Sequence, residues 1–194
     1  MSPNRLSLSS VVLAGGHSRR MGTDKAWLPH PETGQPMLRR QLSLLASCGG
    51  EAPVVSARTG QELPALPPDT KRIDDDGTTG PLGGIVSALA GTTCDHLLVI
   101  AVDLPKLSES EIQHLSGKLE SPERGFYAHS PGGPQPLVSI MPRSLLPELQ
   151  AALADGQLSL RRLFAGPLQR QMSPVAFPDN EPFQNWNEPG SSEG

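Results

Sequence analysis

The run HLLVIAV, from His96 to Val102, is the most apolar stretch of the sequence. It shows no alternation of polar and apolar residues, so it reads as a strand covered on both faces, the pattern of a central strand in a parallel sheet. Leu6 to Leu13 predicts a similar first strand, with Ser7, Ser9 and Ser10 leading into buried VVLA. Further strands are expected at Ala52–Ala57, Lys71–Asp74, Phe126–His129, Gln135–Ile140 and Val175–Phe177. Helical spacing appears between them. Met37, Leu38, Leu42, Leu45 and Ala46 share a face in Met37–Ser47, which Gly49-Gly50 stop. Gly80–Gly91 opens with proline near its first turn, and Ser108 with Glu111 forms a capping-box pattern. Pro142–Asp155 and Leu158–Phe164 complete the helices, the latter with Ser159 as cap. Strands alternating with helices predict a three-layer α/β/α sandwich on a mostly parallel, Rossmann-like sheet, with strand order left open. Residues 1–188 are expected to form one domain and 189–194 a flexible tail.

The totals narrow the function classes. Sixteen basic against twenty acidic residues leave a formal charge of −4, which argues against broad binding to nucleic acid or membrane surfaces. Cys48 and Cys94 lie far apart without metal-ligand spacing, as free thiols in a reducing cytosol would. The opening MSPNRLSLSS lacks a signal-peptide core, and no run approaches the ~18 apolar residues of a membrane span. A cytoplasmic protein is the expectation.

Chemistry concentrates in VVLAGGHSRRMGTDK, Val11 to Lys25. Its glycines let backbone N–H groups converge and Arg19, Arg20 and Lys25 supply positive charge, which a phosphate-binding turn needs. The spacing fits neither GxGxxG nor G-x-x-x-x-G-K-[ST]. Three more clusters fall at strand ends, where open α/β sheets bind ligands. Asp74-Asp75-Asp76 reads as a ligand edge or a solvated turn; Asp74 is favoured because it directly ends its strand. Asp103, before Leu104-Pro105, suits Mg²⁺, a hard cation that takes one or two carboxylates plus phosphate oxygens; it also fits a turn cap. Asn185 and Asn187 flank Trp186 and would share a side of an extended chain, or form an Asx turn. Gly83-Gly84 would let a ligand approach the start of the second helix. His17 lies in the loop. His30, His96, His114 and His129 lack partner spacing and read as packing or surface residues. Ser18 has no G-x-S-x-G elbow around it.

The spacing L-A-G-G-x-S-x-R-M-G-x-D-K from Leu13 to Lys25 resembles the nucleotide-activating loop of the nucleotidyltransferases, most closely that of molybdenum cofactor guanylyltransferases. The later GPLGG, V-D-L-P, Q-P-L and F-Q-N-W-N follow the same order through Asn187. The resemblance implies a nucleotide-diphospho-sugar transferase type of fold and transfer of GMP from Mg·GTP to the phosphate of molybdopterin, with pyrophosphate released. It implies that Leu13, Ala14, Gly15, Gly16 and Gly84 receive the nucleotide, that Lys25 binds phosphate and that Asp74 lies near the nucleoside. Asp103 would hold Mg²⁺, Asn185 and Asn187 would close the site, and Arg19 or Arg20 would lessen repulsion between the two anionic substrates. Arg161 and Arg162 would hold the pterin. Transient contact with proteins that insert or deliver the cofactor belongs to the same expectation. Related cytidylyltransferases tend to carry L-A-A-G, so Gly15 favours the larger guanine. One departure stands out: Arg58 occupies a position where the family often has asparagine. Alternatives are a cytidylyltransferase or sugar-phosphate nucleotidyltransferase of the same superfamily, and an idle nucleotide-binding or cofactor-chaperone protein.

Overall fold

The computed structural model describes residues 6–15, 24–75 and 78–186. In chain order the elements are β1 (Leu8–Leu13), α1 (Met37–Ser47), β2 (Val54–Arg58), β3 (Lys71–Asp75), α2 (Gly80–Gly91) and β4 (His96–Ala101). They continue with α3 (Glu109–Ser116), β5 (Gly125–Ser130), β6 (Gly133–Pro142), α4 (Leu146–Ala154), α5 (Leu160–Ala165) and β7 (Met172–Ala176). The predicted tail, residues 189–194, lies outside the described residues.

One seven-stranded sheet runs β3-β2-β1-β4-β6-β5-β7. The neighbours from β3 through β4 pair in parallel, as do β5 and β7, whereas β6 is antiparallel to both its neighbours. The chain leaves β1 toward β2 and returns through α2 to β4 on the other side. That reversal of direction opens a crevice at the carboxyl ends of β1 and β4, the usual ligand position in such sheets.

Both faces of the sheet are covered. Val12, Ala14, Leu98 and Ile100 pack with Leu38, Leu42 and Leu45 of α1 and Ile112 and Leu115 of α3. Val11, Leu13, Leu97 and Val99 pack on the opposite side with residues of α2, α4 and α5. Successive residues of a strand point to opposite faces, so a strand buried on both sides shows a continuous apolar run, as β4 does. The three-layer sandwich expected from the sequence is the observed architecture.

Two of the strands that depart from their expected bounds contain prolines. β6 begins at Gly133, ahead of Gln135, and includes Pro134 and Pro136. Its pairing with β4 runs from Val138 to Pro142, and its register against β5 shifts between Tyr127 and Ala128, so Pro134 and Pro136 withhold no N–H from the β4 ladder, while Pro142 lies at the ladder's end opposite His96. β7 begins at Met172 and holds Pro174 because it is an edge strand, paired on one side by β5. The capping box of α3 forms as its spacing indicates: Ser108 N–H donates to Glu111 Oε2 at 2.9 Å. Cys48 and Cys94 are free thiols. Among the described residues, no helix is long and apolar enough to cross a membrane.

Candidate nucleotide site

At the carboxyl edge of β1 to β4 lies a cleft of about 190 Å³. Leu13, Ala14, Pro81, Ala101, Val102 and Leu137 give it apolar walls, and Lys25, Ser56, Asp75 and Asp103 give it polar ones. Its floor continues the sheet beyond the strand ends. Ala14 N–H donates to the Ser56 carbonyl at 2.8 Å, and Val102 N–H to the Leu13 carbonyl at 3.1 Å.

Lys25 and Asp103 meet there. The Lys25 ammonium donates to Asp103 Oδ2 at 2.5 Å, although 78 residues separate them. Asp103 is 9% exposed, and the segment that carries it is gripped from three directions. Its own carbonyl accepts Trp186 N–H at 2.7 Å, the Leu104 carbonyl accepts Gln41 Nε2 at 2.7 Å, and the Pro105 carbonyl bonds His30 Nε2 at 2.9 Å. Because His30 Nδ1 accepts backbone N–H groups from Glu32 and Thr33, Nε2 is the nitrogen left to donate to the Pro105 carbonyl. The histidine reading as a packing residue fits this brace.

The acidic run sorts by strand parity. Asp74 is turned outward, its side chain 52% exposed and paired with Arg72 Nε at 2.6 Å. β3 extends one residue further than expected, and Asp75, on the opposite face, lines the cleft and accepts from Ser56 Oγ at 3.1 Å. The carboxylate at this wall is therefore Asp75 instead of Asp74. Asp76 lies outside the described residues.

Other expected residues distribute as follows. Leu13, Ala14, Gly15 and Gly84 line the cleft with Lys25 and Asp103. Gly84 owes its lack of a side chain to helix packing, since a Cβ there would overlap Ser56 Oγ and come within 3.2 Å of Leu13 Cδ2. Gly80 adopts φ +58°, a left-handed conformation that favours glycine at the start of α2. Asn185 is exposed and does not line the cleft; Gly16, His17, Ser18, Arg19, Arg20 and Asn187 lie outside the described residues. Arg161 and Arg162 are exposed on α5, also away from the cleft lining.

Sequence reasoning missed the group that frames Lys25. Gln61 Nε2 donates both to the Ala14 carbonyl at 3.0 Å and to Asp24 Oδ2 at 2.8 Å. Arg58, the departure from the resembled pattern, pairs with the same Asp24 oxygen at 3.3 Å. Arg72 ties the segment from behind through the Gln61 and Arg58 carbonyls at 2.8 and 2.9 Å. Residues of an irregular loop carry no periodicity, so only long-range contacts reveal them.

Residues 10–174 match the family model of the MobA-like NTP transferase domain. The chain belongs to that family. This NTP transferase is 33% identical over 195 residues to a protein of Opitutus terrae named "probable molybdenum cofactor guanylyltransferase", covering 97% of the chain and 95% of the relative. It is 31% identical to the molybdenum cofactor guanylyltransferase of Shewanella amazonensis, covering 95% and 93%. Among solved structures, an Aquifex aeolicus protein superposes with TM-score 0.72 at 17% identity, covering 97% of both chains. The molybdopterin-guanine dinucleotide biosynthesis protein A of Archaeoglobus fulgidus gives TM-score 0.61 at 21% identity, covering 88% of this chain and 83% of that one. These two structural likenesses show that the fold is shared.

The cleft's donor set has a consequence for metal. Among the described residues, no three His, Cys, Asp or Glu side chains cluster to hold an ion. A single carboxylate suits a divalent ion that completes its shell with water and substrate phosphate, once Lys25 yields the carboxylate oxygen it holds. Asp103 fits that requirement.

Proposed function

We propose that this NTP transferase moves GMP from GTP to the terminal phosphate of molybdopterin, releasing pyrophosphate and forming the guanine dinucleotide cofactor. The meeting of Lys25 with Asp103 in a cleft whose opposite wall carries Asp75 is the observation that carries this reading. A phosphate chain laid between those walls would set its charged end beside Lys25 and its base among Leu13, Ala14 and Pro81.

Transfer to the α-phosphorus asks for alignment and charge neutralisation more than covalent help. A molybdopterin phosphate oxygen attacks the α-phosphorus while the bond from that phosphorus to the bridging oxygen of the β-phosphate breaks. Pyrophosphate leaves with the bonding electrons. The attacking oxygen is already anionic, so no general base is required. Lys25 neutralises charge growing on the departing pyrophosphate. Arg19 offsets repulsion between the two anions. Asp103 would hold Mg²⁺, which supplies Lewis-acid polarisation of phosphate oxygens when bound. Gly15 leaves room for a purine, and Asp75 supplies acceptors. Guanine alone among the bases presents adjacent N1–H and N2–H donors, a pair that a carboxylate accepts well.

Thermal shift with Mg·GTP against Mg·CTP, Mg·UTP and Mg·ATP tests the base. Stabilisation by GTP alone is expected; an equal or larger shift with CTP would move the assignment to cytidylyl transfer. Pyrophosphate release that depends on added molybdopterin tests the transfer. Binding without release would leave a nucleotide-binding protein.

A further inference from the structure

We propose that Gln61 is a positioning residue of the nucleotide turn, holding Ala14 and Asp24 so that Gly15 and Lys25 face one cleft; this rests on the nucleotide-transfer reading above. Gln61 is 8% exposed. Every part of its amide is engaged: Nε2 donates to the Ala14 carbonyl and to Asp24 Oδ2, while Oε1 accepts Arg58 N–H at 2.9 Å. The partners fix the amide's orientation, because a backbone N–H demands the oxygen and a carbonyl with a carboxylate demands the nitrogen. Its own backbone is anchored as well, with N–H to the Arg58 carbonyl at 2.9 Å and carbonyl to Arg72 Nη1 at 2.8 Å. One nitrogen thus spans the carbonyl that follows β1 and the carboxylate that precedes Lys25.

Asp24 passes the constraint on. Its Oδ1 accepts Ala26 N–H at 3.0 Å, which closes the turn on which Lys25 sits and aims the lysine at Asp103. Without the Gln61 donor, the buried Ala14 carbonyl and the partly buried Asp24 carboxylate become two acceptors with no hydrogen between them. Such a pair separates, and Lys25 moves with Asp24. Arg58 cannot replace the amide. Its side chain reaches Asp24 at the longer distance of 3.3 Å and leaves the Ala14 carbonyl to Gln61.

The test uses Gln61→Glu, which keeps the shape but replaces the donor by an acceptor. Two readouts are taken: steady-state kinetics with both substrates, and the acylation rate of Lys25 followed by mass spectrometry against other lysines of the same chain. Q61E is expected to raise the KM for GTP at least about tenfold, leave the KM for molybdopterin within about twofold, and speed Lys25 acylation severalfold. Adding Asp24→Asn should recover part of both effects, because the amide introduced at position 24 donates to the carboxylate introduced at position 61 while the Ala14 carbonyl stays without its donor. Gln61→Met removes the donors without adding charge and should move both readouts in the same direction as Q61E. A folded Q61E or Q61M with wild-type KM for GTP and wild-type acylation overturns the proposal, as does a double variant no better than Q61E. If the wild type takes no GTP, the transfer reading falls, and Lys25 acylation still decides the latch by itself.

Discussion

Replacing Lys25 with methionine isolates the charge at the heart of the cleft. The pair it breaks is intermediate in burial, with Lys25 26% and Asp103 12% exposed in their side chains. Exposed ion pairs contribute about 0–1 kcal/mol and removal of one partner from a buried pair costs about 3–5 kcal/mol, so a loss of roughly 1–3 kcal/mol is expected near neutral pH. At this chain length that corresponds to a fall in Tm of about 2–12 °C. The loss should be asymmetric. Lys25→Met strands the better-buried carboxylate, whereas Asp103→Asn strands a flexible ammonium that reaches water, and the second variant should keep more of the stability. A divalent ion can replace the missing ammonium. Mn²⁺ at about ten times its Kd should return about 1.4 kcal/mol to K25M, or about 3–6 °C. The wild type should gain less from Mn²⁺ alone, because the ion must first displace Lys25. Differential scanning fluorimetry across a Mn²⁺ titration, without nucleotide, measures each of these shifts. Equal gains in K25M and wild type, or a K25M protein as stable as the parent, would refute the reasoning.

Gly84→Ala should lower Tm by about 2–12 °C, since the added methyl overlaps Ser56 Oγ and overpacking typically costs about 1–3 kcal/mol. Asp75→Ala should weaken GTP binding at least about tenfold by calorimetry, while Asp74→Ala, which removes an outward carboxylate, should stay within about twofold. Burial raises the Glu111 pKa, but hydrogen bonds from Ser108 and Ser110 outweigh it and hold the carboxyl below its ordinary 4.5. Its stabilising contribution is therefore complete above that ordinary value and fades as pH falls through the depressed one. Ser108→Ala should cost about 0.5–2 kcal/mol at neutral pH and partly flatten the acid-side fall in urea midpoint, because the carboxyl then loses the Ser108 hydroxyl bond and keeps those from Ser108 N–H and Ser110 Oγ.

What the sequence discloses depends on how directly a side chain reports its own surroundings. HLLVIAV betrays a strand buried on both faces because every residue in it must be apolar or find a partner inside. Ser108 and Glu111 disclose a helix start because both partners lie within one turn of each other. Lys25 and Asp103 are legible through the motifs they close. Asp75 is not, since a strand one residue longer exchanges which carboxylate faces the cleft. Gly84 reads as an opening for a ligand, yet the contact that excludes its Cβ comes first from Ser56, a distant neighbour in the chain that no local pattern identifies. Gln61 is hidden for the same reason: its hydrogen bonds to Ala14 and Asp24 cross 47 and 37 positions.

The hydrogen bond from Trp186 to the Asp103 carbonyl carries a consequence for biosynthesis. While the chain emerges from the ribosome, β1 through β4 can assemble with their helices long before residue 186 has been translated. The backbone that carries the sheet-edge carboxylate acquires its last brace only when that tryptophan arrives, so a nascent chain holds four strands of the sheet before it holds a finished cleft.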